Sequence, residues 1–138
     1  MRILQKLFIT GITLASFSGI AEISVIVNND NASTLDEKLV KRIYLGKAKS
    51  FPAGGKVTAL TLKDDAPVSE AFRQNVLKKS NSQYKSHWSK LAFTGKGTPP
   101  TEVSSESEMI STVKSDVTAI GFVDSASVTS DVKVVARF

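Results

Sequence analysis

Residues 57–77 read VTALTLKDDAPVSEAFRQNVL. Val57 to Leu62 alternates apolar and β-branched residues, which predicts a strand. Pro67 stands where a helix can begin, because the N–H it lacks would have no helical partner there. Val68, Phe72, Val76 and Leu77 then recur at helical spacing. Strand, tight turn and helix make the repeating unit of an α/β domain. Open α/β sheets hold ligands where strands end and helices begin, and the free N–H groups of a helix start favour anions. Lys63, Asp64, Ser69 and Arg73 are therefore candidate anion-binding residues. Asp64 and Asp65 oppose a fully ionised anion unless they accept its protons. The same pair also reads more plainly as the cap of a helix.

The unit repeats outward. Glu22 to Val27 is β-branched and reads as a strand. Thr34 with Glu37 has capping-box spacing, and Leu35, Leu39, Val40, Ile43 and Tyr44 share a helical face that Gly46 stops. Residues 47–56 form a loop with Pro52, Gly54 and Gly55. After Ser80-Asn81-Ser82, Tyr84, Trp88, Leu91 and Ala92 form another stripe. Thr94 to Thr101 reads as loop, with two Gly and two Pro. Ser105 and Glu108 form a second capping box leading into Met109, Ile110 and Val113. Ala119 to Val123 reads as a buried strand, and Val132 to Ala136 as the last one. The expected fold is an α/β three-layer sandwich with a mixed, mostly parallel sheet. Only Asp124 to Asp131 separates the last two strands, too little for a usual parallel crossover, so they pair antiparallel or lie apart. Leu39, Ile43, Phe72, Trp88, Ile110, Ile120 and Val123 form the expected core.

Residues 1–21 read as a cleavable signal peptide: Arg2 and Lys6, an uncharged apolar run from Leu7 to Phe17, then Gly19-Ile20-Ala21. Cleavage after Ala21 gives one soluble, periplasmic domain at 22–138. The run is short for a membrane span, and Thr10, Thr13, Ser16 and Ser18 dilute it. No Cys follows, which excludes a lipid-anchored lipoprotein, thiol catalysis and disulfides. The segment carries two of the basic residues and no acid, so the net charge of +5 falls to +3. That is too mild to argue for nucleic acid. The charge is unevenly placed: Ala71 to Thr101 has no acidic residue, and Glu102 to Asp131 has six. The basic stretch reads as a face for an anion or acidic partner, or as ordinary solvated helix surface.

Catalysis is poorly provided for. His87 is the single His: a catalytic triad would need it held between a nucleophile and a carboxylate, a His-based metal site is starved of ligands, and mid-helix it reads as a surface residue. Gly95-Lys96-Gly97-Thr98 lacks the spacing and the strand-to-helix context of a phosphate loop. No catalytic residue, metal or cofactor is expected, and the chain reads as a non-enzyme.

Leu35 to Gly46, Ser69-Glu70-Ala71-Phe72, Trp88 to Gly97 with Pro99-Pro100, and Ala119 to Val123 together carry a resemblance. The chain resembles short relatives of the substrate-binding component of phosphate ABC transporters, a type II periplasmic binding protein fold. The resemblance covers nearly all of 22–138 but only one of the family's two lobes. It implies a periplasmic solute-binding-like protein with inorganic phosphate or another small anion as ligand and a membrane transporter as partner. The family's loop reads Arg, then Asp two residues on, then Gly-Ser-Gly-Thr. Here the Asp falls on Asp64, the Arg position on Leu62 with Lys63 beside it, and Ser-Gly-Thr becomes Ala66-Pro67-Val68. Pro67 also removes a donor. The resemblance therefore implies at most a weak phosphate site. The alternative is a ligand-free interaction module contacting a membrane or cell-envelope partner. A homodimer placing two such loops face to face would rebuild a clamp.

Overall fold

The computed structural model describes residues 22–138. The signal-peptide segment 1–21 lies outside the described residues. In chain order the elements are β1 (Ile23–Asn28), α1 (Glu37–Tyr44), β2 (Thr58–Leu62), α2 (Pro67–Asn75), α3 (Asn81–Phe93), β3 (Thr101–Val103), α4 (Glu106–Ser115), β4 (Ala119–Asp124) and β5 (Val132–Arg137). The strands form one sheet in the order β3-β2-β4-β1-β5. β2 is parallel to β3 and β4, whereas β1 is antiparallel to β4 and β5. The sheet is mixed, as expected, and its parallel part is the β3-β2-β4 half. β4 and β5 lie apart with β1 between them, the second of the two arrangements their short connection allows.

The two faces of β4 show why the domain has three layers. Phe122 stacks on Phe72 of α2 at 4.0 Å and meets the Tyr44 ring of α1 edge-on at 5.8 Å. Gly121 faces the other way, towards α4. A Cβ there would lie 2.4 Å from the Met109 sulfur, so only Gly lets α4 approach this closely. The Tyr44 hydroxyl donates to the carbonyls of Leu60 and Ile120 at 2.8 and 3.3 Å, tying α1 to β2 and β4. Burial pushes the Tyr44 pKa well above its usual value.

Several local expectations change. α1 is capped by Asp36, whose carboxylate accepts from the Leu39 N–H at 2.8 Å, not by Thr34. Leu39 and Ile110 are only half-buried; Val40, Ile43 and Tyr44 form the inner face of α1, and Met109 and Val113 that of α4. The expected Ser105 cap is present, but Glu108 reaches back to the N–H and hydroxyl of Ser104. α3 has a full capping box between Ser80 and Gln83. His87 is half-buried rather than exposed. Its Nε2 donates to the Leu45 carbonyl at 2.8 Å, because α3 lies across the end of α1. No helix among the described residues is long and apolar enough to cross a membrane.

Candidate anion site at the start of α2

β2 delivers the chain to the turn at 63–66, and Pro67 opens α2 at its first position. Ala66 caps the helix without a side-chain hydrogen bond. The aspartates do not cap it. Asp64 turns instead to Arg73, two turns along α2. Arg73 Nη1 donates to Asp64 Oδ1 at 2.6 Å and to Asn81 Oδ1 at 3.0 Å, and Nη2 reaches Thr61 Oγ1 at 3.5 Å. The guanidinium carbon lies 4.1 Å over the Tyr84 ring. Arg73 is 1% exposed, so its charge is held inside the protein by one carboxylate, two neutral acceptors and an aromatic face.

The other Asp64 oxygen takes Lys85 at 2.8 Å. Lys85, followed by Arg73, holds the Asp64 carboxyl below its ordinary range, against the opposing effect of its partial burial. The Asn81 amide donates to the Asp64 carbonyl at 3.1 Å and fixes the turn. Burial pushes the Tyr84 hydroxyl up to about 12.

Of the four sequence-derived residues, Asp64 and Arg73 meet directly. Ser69 lies four residues before Arg73, on the same face of α2, fully buried. Its hydroxyl has no hydrogen-bond partner among the described residues. Lys63 is exposed and stands apart from Arg73; its charge acts on Glu108 at the start of α4. Sequence reasoning missed Asn81, Tyr84 and Lys85. Their spacing of three and four residues puts them on one face of α3, and the Ser80–Gln83 box was the signal that a helix starts there.

Carboxylates near the start of α4 are likewise engaged by the chain itself. At α4 the Glu106 carboxylate accepts from the Asp124 N–H at 2.6 Å, and Glu108 accepts from the Ser104 N–H at 2.7 Å. The Ser104 contacts hold the Glu108 carboxyl below its ordinary range. At the C-terminal end of the parallel strands, then, the carboxylates of Asp64, Glu106 and Glu108 are already engaged by the chain itself. No three His, Asp or Glu side chains among the described residues converge as a metal site.

Similar architecture occurs in solved phosphate-binding proteins. An ABC-type phosphate transport receptor from Vibrio cholerae superposes with a TM-score of 0.55 at 20% identity, over 85% of this chain and 47% of the receptor. A phosphate ABC transporter substrate-binding protein from Clostridium perfringens, solved with bound phosphate, gives 0.67 at 20% identity, over 85% and 46%. The chain has the fold of one lobe of a periplasmic binding protein. PstS from Borrelia burgdorferi gives 0.55 at 12% identity, over 73% of this chain and 39% of that one. This lobe thus spans about half the length, or less, of the structures it matches. No protein-family model and no curated protein matches the sequence.

Proposed function

We propose that residues 22–138 form a non-enzymatic, exported binding module that takes inorganic phosphate, or a similar small oxyanion, only weakly. The site is the turn of Lys63 and Asp64 with Ser69 and Arg73. The export reading rests on the pattern of residues 1–21, and the binding reading on the fold shared with phosphate-binding proteins. One observation carries the weakness: the Asp64 carboxylate already sits on Arg73 and Lys85. An incoming phosphate must displace a tethered anion from a guanidinium that has almost no exposed surface. Ala66-Pro67-Val68 offers no hydroxyl and one N–H fewer. A single lobe also leaves part of the anion in water, where each charged contact is worth about 0–1 kcal/mol.

The expected Kd is millimolar, about −4 kcal/mol. Calorimetry at low salt on the wild type and on Asp64→Asn tests this. Asp64→Asn removes the internal competitor and one negative charge, so phosphate should bind several-fold tighter. Micromolar binding by the wild type would overturn the weak-site reading. No detectable heat from either protein would overturn the anion site altogether. It would leave the second reading, an interaction module for a membrane transporter or envelope protein, which the engagement of Asp64 by the chain's own Arg73 and Lys85 favours.

A further inference from the structure

A second concavity lies at the opposite end of the sheet. It is an open groove of about 620 Å³, bounded by the loop after α1, the first residues of β2 and β3, and the 95–100 connection. Thr58 and Thr101, the first residues of those parallel strands, line it, whereas the anion turn follows Leu62. At about 3.3 Å per residue the two places are more than about 10 Å apart.

We propose that this groove binds an acidic, extended segment of a partner polypeptide. Lys49, Lys56 and Lys96 line it, and no acidic residue does. None of the three forms an ion pair among the described residues. The lining comes from two stretches of chain, 38–63 and 71–101, that contain no Asp or Glu at all. The three lining lysines have no carboxylate among the lining residues, in contrast to the turn at Asp64, and such a charge favours an anionic occupant.

The occupant must also be longer than a single oxyanion. The groove has the volume of a site for a molecule of many atoms. Its lysines stand on separate segments, and Pro99 and Pro100 contribute no N–H groups to cradle one phosphate. Charges spaced along a chain suit this arrangement. Ile43, Val57 and Trp88 add apolar surface to the lining. Gly46 and Gly97 lay their backbones against the Trp88 ring: added Cβ atoms would lie 2.7 and 3.2 Å from it. Glycine at both positions lets these two wall segments close onto the indole, which is 5% exposed. Phe93, two residues before the lining residue Gly95, is 93% exposed. A membrane surface fits less well. Interfacial binding needs a broad apolar helix face, and α3 turns Ser82, Ser86 and Ser89 to water around its one exposed Phe.

The test is fluorescence anisotropy of the purified protein with labelled acetyl-(Glu-Leu)3-amide. At low salt the expected Kd is below about 100 µM. It should weaken markedly at physiological ionic strength, where the Debye length is about 8 Å. The combined variant Lys49→Glu, Lys56→Glu, Lys96→Glu changes only exposed side chains. It should weaken binding about tenfold or more, since each exposed pair contributes little but three act together. Amide shifts on titration should centre on Gly46 and Gly97, and Asp64→Asn should leave peptide binding unchanged. Several results would overturn the proposal: equal affinity for acetyl-(Lys-Leu)3-amide, no loss in the triple variant, or displacement of the peptide by submillimolar phosphate. Binding to phosphatidylglycerol vesicles but not to the peptide would assign the groove to lipid instead. Self-association abolished by the triple variant would assign it to a second copy of the chain. The phosphate titration reports on the other end of the sheet, so either proposal can fail alone.

Discussion

Replacing Asp64 by Ala strands a buried guanidinium, and the size of the loss follows from how unequally the ion pair is exposed. The Arg73 side chain is 2% exposed and that of Asp64 39%. Breaking a fully buried pair costs about 3–5 kcal/mol, and breaking an exposed one about 0–1 kcal/mol. Arg73 would keep Asn81 and the Tyr84 face, and water can enter the space the carboxylate leaves. The loss should therefore be close to that of a charged hydrogen bond, about 1.5–3 kcal/mol. Lys85→Ala is the internal control. It removes the cation that most lowers the Asp64 pKa, yet Lys85 is 63% exposed, so the stability loss should stay within about 1 kcal/mol. Urea unfolding of the three proteins at pH 7 measures both. The pH dependence has a defined sign. Because the folded pKa of Asp64 is depressed, its contribution is present above the unfolded value of about 3.9. It is lost as the pH falls through the lower folded value. Asp64→Ala should flatten the acid limb of the stability profile below about pH 4. A loss under about 0.5 kcal/mol, or a larger one for Lys85→Ala, would refute the view that Arg73 depends on Asp64.

Gly121→Ala should destabilise by about 1–3 kcal/mol in the same assay, because Met109 and Val113 leave no room for a methyl group. Phe72→Ala should cost about 3–5 kcal/mol, since it removes a ring stacked on Phe122 and edge-on to Tyr44. Phe93→Ser should change stability by less than about 0.5 kcal/mol, and a larger loss would show that the ring is covered.

The strand–turn–helix unit at 57–77 was legible because period-2 and helical patterns are local. Phe72, Ile120 and Val123 fell in the core for the same reason. The three-residue β3 was not legible. Thr101-Glu102-Val103 follows two prolines and has no alternation to detect; its strand state comes from pairing with β2. The phases of α1 and α4 slipped at Leu39 and Ile110, because stripes wider than the buried face leave their edges ambiguous. At the site, Arg73 looked like a free cation. That it is buried, and satisfied by Asp64, depends on α3 bringing Asn81, Tyr84 and Lys85 over the turn, which is tertiary information. The groove was least legible of all, since its lysines come from two stretches joined only by folding.

The position of β1 governs the order in which this domain can assemble. β1 lies between β4 and β5, and residues 23–28 pair only with 119–124 and 132–137. Ile23 and Phe138 exchange both backbone hydrogen bonds at 2.9 Å. The first described strand is thus closed by Phe138, the residue after β5. A ribosome making this protein releases β1 about a hundred residues before either neighbour exists, and closing so long a loop is slow. During synthesis the six buried residues of β1 stay unpaired. The sheet can therefore close on both sides of β1 only after β5 has been made, so the strands farthest apart in sequence are the last to be joined.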